Sequence, residues 1–254
     1  GDTVTAPSPT AWYLRCGRDD VGDRAVLVGD RGRVAIAATI LEDAVVLNED
    51  RGLTTATGTY RGERITVSAF GMGAPIAAIV LHELSTLGVT QFIRLGTALT
   101  LGSTRLGDFV VAHGAVRNEG TSAGYLPVEY PAVPDFDLTR RAERAALASG
   151  SPTRSGLYAT FDGFYTDMFD LDPRSTRAAE TLAFHAANGV IAADMETSAL
   201  FVAARALGVA AASLCLASVD GSTREKLPHE ERVAAEARLL RAGFDALVAD
   251  SDTL

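Results

Sequence analysis

The chain has 254 residues, 47% of them hydrophobic and 22% charged, and a formal net charge of −9. That length buries one large core without dividing into domains, and the acidic balance argues against nucleic acid and anionic membrane as partners. Cys16 and Cys215 are the two cysteines, and their spacing suggests neither a disulfide framework nor a metal site, so a cytosolic protein fits best.

Gly1 to Thr10 lacks the basic-then-apolar order of a targeting peptide and reads as a loose leader, with residues 1–12 set apart from a single domain over 13–254. No apolar run approaches the roughly 18 residues that a spanning helix needs. Ala25 to Val28 predicts a strand, and a helix follows near Val34 to Leu41 with Gly32 and Arg33 in its N-terminal turn. Thr54 to Tyr60 and Ile65 to Phe70 alternate like paired strands around Arg61-Gly62. After the tight turn Gly71-Met72-Gly73, Pro75 occupies a first helical turn, and an amphipathic helix runs from Ile76 to Leu87 and stops at Gly88. Strands are expected at Val89 to Leu95 and Phe109 to Val116, then a loop with three prolines from Leu126 to Phe136 and a helix from Asp137 to Ser149. The later half predicts strands at Leu157 to Phe161, Val190 to Ala193 and Ala210 to Ser218, and helices at Thr176 to Ala187, Thr197 to Leu207 and His229 to Val248. Such alternation is the mark of an α/β layered fold.

Three distant junctions carry chemistry. Val28-Gly29-Asp30-Arg31-Gly32-Arg33, Phe92-Ile93-Arg94-Leu95-Gly96-Thr97 and Ala193-Asp194-Met195-Glu196 each end an apolar run on glycine with arginine, or on carboxylates. Glycine lets backbone N–H groups approach a ligand closely, and guanidinium supplies charge for an oxyanion such as phosphate. Carboxylates suit a hydroxyl-rich partner, since they only accept hydrogen bonds. Arg94 closes a strongly apolar strand, where an unpaired guanidinium is costly, so a carboxylate or a ligand must meet it.

These segments resemble, in order and spacing, the nucleoside phosphorylase-I family, which includes hexameric purine nucleoside phosphorylases and uridine phosphorylases. The resemblance runs from about Tyr13 to the end. Gly29 to Arg33 is similar to the family's Gly-Asp-Pro-x-Arg turn, with Arg31 in place of proline, and Arg94 to Thr97 to its Arg-x-Gly-Thr/Ser segment. Arg51 matches an arginine that reaches a neighbouring subunit's site, Val128 to Phe136 the Phe-Pro-Ala-x-x-Asp-Phe segment, and Asp194-Met195-Glu196 the Glu-Met-Glu ribose segment.

The resemblance implies a single-domain three-layer α/β/α sandwich around a mixed, partly barrel-like sheet. It also implies phosphorolysis of an N-ribosidic bond, with inorganic phosphate as co-substrate and neither metal nor organic cofactor. Gly29, Arg33, Arg51, Arg94 and Thr97 would hold phosphate, and Met195, Glu196 and Tyr13 ribose. Phe164, Tyr165, Leu99, Met168 and Asp220 would surround the base, with Asp220, Arg94 and Glu196 as the catalytic groups. Asp220, in a Val-Asp-Gly found in some purine nucleoside phosphorylases, would face N7 of a purine as general acid. It equally fits an Asx turn before Gly221. Asp194 fits either a ribose contact or an acid favoured by the helix dipole, Arg51 a surface ion pair, and one of Phe164 and Tyr165 a core position.

Met168 and Asp170 occupy the places where uridine phosphorylases carry glutamine and arginine, which favours purine over uracil. Leu99 replaces a glycine beside the base and Tyr13 a histidine that reaches the 5′-hydroxyl, so a 5′-modified nucleoside remains open as substrate. His82, His113, His185 and His229 match no catalytic position. Arg51 and Tyr13 imply a homodimer with shared sites, and the family implies a homohexamer. The alternatives are a uridine or pyrimidine nucleoside phosphorylase, a nucleoside hydrolase, and a non-catalytic nucleoside-binding protein.

Overall fold

Alternation of side chains along β1 (Arg24–Val28) sets the architecture: Ala25 and Leu27 face one apolar cluster, Val26 and Val28 another, and all four are fully buried. A strand buried on both faces needs helices on both. In the computed structural model, which describes residues 10–249, these clusters lie on the two sides of one sheet. One cluster joins the sheet to α2 (Ala74–Thr86) and α5 (Thr197–Leu207). The other joins it to α1 (Arg31–Ile40), α3 (Phe136–Ala148) and α6 (His229–Val248). The three layers match the expectation.

The sheet has nine strands in the order β2-β3-β4-β1-β5-β8-β7-β6-β9, and β5 pairs again with β9. That last pairing closes β5 (Gln91–Thr100), β8 (Val190–Asp194), β7 (Thr153–Phe161), β6 (Phe109–Asn118) and β9 (Ala210–Asp220) into a five-stranded mixed ring. β1 lies parallel to both β5 and β4 (Glu63–Ala69), and β3 (Thr55–Tyr60) and β2 (Glu42–Asn48) continue antiparallel to the free edge. α4 (Arg177–Ala187) packs outside the ring beside β8 and a turn of π-helix at Phe164–Met168. Among the described residues, no helix is long and apolar enough to cross a membrane.

Several elements differ from the sequence reading. β2 was not expected: its residues are mostly exposed, so the half-buried alternation that reveals a strand is missing. β5 continues five residues beyond Leu95, which places Arg94 within a strand and not at its end. α1 begins at Arg31, where Asp30 caps it by accepting a hydrogen bond from the Gly32 N–H at 2.8 Å. Arg31 is therefore the first helical residue, the position that tolerates proline at no hydrogen-bonding cost, so its replacement of proline leaves the turn intact. Of the expected leader, residues 1–9 lie outside the described residues, while Thr10 bridges Gly17 and Ala11 is buried.

Candidate active site

The cleft lies at the carboxyl ends of β1, β4, β8 and β9, the place where open parallel α/β sheets bind ligands. Two neighbouring loops form one wall. The N–H of Phe70 donates to the Val28 carbonyl and that of Gly71 to the Gly29 carbonyl, both at 2.9 Å, so the turns after β1 and β4 run side by side. A Cβ on Gly29 would stand 2.9 Å from the Gly71 carbonyl oxygen, so only glycine fits that approach. The cleft encloses about 500 Å³ and draws lining residues from every junction singled out in the sequence.

Arg94 is the centre of the site. Its guanidinium is 4% exposed, donates from Nε to Asp194 Oδ2 at 3.1 Å, and donates from Nη2 to Glu196 Oε2 at 2.9 Å. Burial alone would favour losing its proton; Glu196, Asp194 and the buried Cys215 more than offset that and hold it charged. Gly96 makes room for this pose, since a Cβ there would lie 1.7 Å from Nη1.

Asp194 is fully engaged. Thr160 Oγ1 donates to its Oδ1 at 2.8 Å, while the Thr197 N–H at 3.0 Å, the Thr197 hydroxyl and Arg94 all donate to Oδ2. It starts α5 and positions Arg94, the structural reading of the two open for it. Glu196 is 5% exposed and accepts from Arg94 on one oxygen and from the Gly73 N–H at 2.9 Å on the other. Gly73 has φ 104°, a backbone that favours glycine, and it ends the Gly71-Met72-Gly73 turn. Burial raises the Glu196 pKa, with the Arg94 charge opposing. A carboxylate has about four acceptor positions, and Glu196 lines the cleft, so acceptor capacity not used by Arg94 and Gly73 is available to a ligand there.

Arg33 enters from the first turn of α1. Its Nη2 donates to Glu236 Oε1 at 2.8 Å, while Nε is buried without a partner. An unmet buried donor on a cleft-lining guanidinium is a place for an anion. Gly29, Arg33, Arg94, Thr97, Leu99, Met195, Glu196, Phe164, Tyr165 and Met168 all line this one cleft. Phe164 and Tyr165 come together with Phe169, which also lines the cleft, because the π-turn stacks Phe164 on Phe169, with Tyr165 edge-on to both.

Three expected residues are elsewhere. Asp220 lines a separate cavity of about 260 Å³ behind Met168. Its carboxylate accepts from the Ser222 N–H at 2.9 Å, the Ser222 hydroxyl at 3.0 Å and the Thr223 N–H at 2.8 Å, and the backbone bonds from Thr223 and Ser222 lower its pKa. The structure thus shows Asp220 as the turn cap, its carboxylate bonded within its own loop and outside the lining of the main cleft. Tyr13 and Arg51 also fall outside the cleft, where the Arg51 guanidinium lies 5.5 Å from the Tyr13 ring. Asp170 caps α4 through the N–H groups of Ala178 and Ala179. None of the four histidines lines the cleft.

Sequence reasoning missed Arg224 and Lys226, both of which line the cleft. Lys226 is the chain's one lysine among 23 basic residues, a compositional signal open to any reader of the sequence.

A family model described as the phosphorylase superfamily matches residues 23–249. A guanosine phosphorylase of Halorubrum lacusprofundi is 35% identical over 211 residues, covering 83% of each chain. A uridine phosphorylase of Thermococcus kodakarensis is 32% identical, covering 92% of this chain and 87% of its own. A DeoD-type purine nucleoside phosphorylase of Bacillus cereus is 30% identical, covering 93% of this chain and 98% of its own. Among solved structures, a uridine phosphorylase from Vibrio fischeri superposes with a TM-score of 0.84 at 26% identity, covering 94% of this chain and 97% of that one.

Proposed function

The chain belongs to the phosphorylase superfamily, and we propose that it cleaves the N-ribosidic bond of a nucleoside with inorganic phosphate, a purine nucleoside favoured, giving free base and ribose 1-phosphate. One observation carries the reading: Arg94 and Arg33, from distant parts of the chain, line one cleft together with Glu196 and the aromatic turn. In this reading phosphate lies against Arg94, Arg33, Thr97 and the Gly29 backbone. Glu196 accepts the ribose 2′ and 3′ hydroxyls on its free lone pairs, and Met195 packs on the sugar.

A phosphate oxygen then forms the bond to C1′ as the C1′–N bond breaks, its electron pair moving onto the base, which takes up a proton. Charge on the sugar rises between phosphate and Glu196, so positioning and electrostatics supply most of the rate. The reaction uses phosphate as co-substrate and calls on no metal or organic cofactor.

Arg51 and Tyr13 belong, in this reading, to the neighbouring subunit's site. Trp12, beside Tyr13 in the chain, and Val45 and Val46 of β2 are exposed, apolar surface suited to a second copy. A shared-site homodimer is the minimum unit, and three dimers give the proposed homohexamer. A uridine substrate is the second reading, favoured by the Vibrio fischeri fold match. Against it stand Met168 and Asp170, neither of which offers an arginine or glutamine to a uracil edge.

Base release from inosine, guanosine, adenosine, uridine and cytidine, each with and without phosphate, tests the proposal. Release that requires phosphate and yields ribose 1-phosphate is the expected result. Release at equal rate without phosphate makes the protein a hydrolase, and tight binding with no release makes it a nucleoside-binding protein.

A further inference from the structure

With Asp220 turned into its own loop, the base end of the cleft has lost its expected acid. Cations stand there instead. The segment after β9 folds back on the strand: the Asp220 N–H donates to the Glu225 carbonyl, the Leu227 N–H to the Ser218 carbonyl, and Lys226 bridges Val219 antiparallel. Val219 in turn pairs with Leu99 of β5. Paired residues on adjacent strands share a face, so Leu99, Val219 and Lys226 form one row across three strands, and all three line the cleft. Arg224, two residues earlier, lies 3.9 Å from the Phe169 ring centroid and is held on the aromatic turn. Lys226 has no ion pair among the described residues, and its side chain is exposed.

We propose that Lys226 determines which bases the site accepts, favouring those with an exocyclic oxygen on the ring edge (6-oxopurines, and 4-oxopyrimidines likewise) over their 6-amino or 4-amino counterparts. This rests on the proposed function, with the base beside Leu99 as the family resemblance implies. An ammonium offers three donors and no acceptor. An exocyclic oxygen accepts from it, whereas an exocyclic amine turns N–H groups toward N–H groups and leaves both unmet. A site that bonds a substrate's polar group discriminates against the analogue that cannot make the bond. The interaction also strengthens during reaction: the electron pair of the breaking C1′–N bond spreads from the ring nitrogen onto the exocyclic oxygen, and the ammonium faces that growing charge without giving up its proton. Water protonates the released base.

The test compares kcat/KM for inosine against adenosine and for uridine against cytidine, in the unaltered protein, in Lys226→Met and in Lys226→Arg. Losing a hydrogen bond to a charged group predicts a fall of about ten- to hundredfold in the oxo-to-amino ratio for Lys226→Met, through slower use of the oxo substrates, and substantial recovery in Lys226→Arg. Equal use of inosine and adenosine by the unaltered protein overturns the proposal, as does an unchanged ratio in Lys226→Met. Base release independent of phosphate overturns phosphorolysis and leaves the ratio to score Lys226. Calorimetric affinities for the same nucleosides score it where no base is released. Amine acylation of Lys226, followed by peptide mass mapping, is expected to slow when hypoxanthine is bound and to continue unchanged if the lysine does not meet the base.

Discussion

Gly96→Ala isolates the pose of Arg94 from its presence. The new methyl would sit 1.7 Å from Arg94 Nη1 and 2.7 Å from Cζ. To reach ordinary contact the guanidinium must retreat by roughly 1.5–2 Å. Steric relief is cheap because the clashing atoms end a flexible side chain, so the variant folds. The displacement nonetheless exceeds what the bonds to Asp194 at 3.1 Å and Glu196 at 2.9 Å tolerate. Each charge-assisted bond contributes about 1.5–3 kcal/mol, which puts the stability loss from the two at about 3–6 kcal/mol, against a usual total of about 5–15. Misplacing a phosphate-binding cation by this much costs about 10²-fold in phosphate-dependent kcat/KM. Denaturant unfolding reads the first quantity, and initial rates across a phosphate titration read the second. Unchanged unfolding midpoint and phosphate saturation would refute the clamp. Lost stability with unaltered phosphate kinetics would make Arg94 a structural ion pair and remove it from anion binding.

Asp220→Asn keeps an oxygen for the Ser222 and Thr223 donors, so we expect less than about tenfold change in rate at pH 7, where loss of a general acid predicts about 10²–10⁴-fold; steady-state rates decide. Burial raises the Glu196 pKa in the folded state, so its contribution is complete below the ordinary value of 4.5 and is lost as pH rises through the folded value. The stability difference between the unaltered protein and Glu196→Gln should therefore shrink as pH rises above the ordinary carboxylate value of 4.5, and a difference that grows with pH, followed by denaturant melts, contradicts the assigned direction. Arg51→Ala and Arg94→Ala are each expected to lose most activity. If sites are shared, mixing the two with subunit exchange restores up to about one quarter of sites, whereas no recovery places Arg51 outside its neighbour's cleft.

The buried helices and strands were legible because burial writes a period into sequence. α5 and α6 match their expected spans, Thr197–Leu207 and His229–Val248, since apolar residues recur on one helical face and glycine or proline marks the ends. β2 was hidden because an edge strand with exposed Val45 and Val46 carries no inward face. The strand expected at Val89 to Leu95 stops short of Gly96, yet that glycine is a space for Arg94 and not a stop. At the site, residue types announced the anion and sugar ends, while Asp220 and Lys226 depended on how one short segment folds back, which local pattern does not encode. Asp220 shows the limit well: Val-Asp-Gly suits both an acid aimed at a base and a turn that satisfies itself, and only the hydrogen bonds from Ser222 and Thr223 separate them.

The stitched glycine turns have a mechanical consequence. Gly29 is bonded to Gly71, and Gly73, two residues on, holds Glu196. Anion and sugar subsites therefore share one short span of backbone, and stiffening either end restrains the other. Under the proposed function, occupancy of the anion end is expected to raise affinity for the sugar, through a tether of three residues.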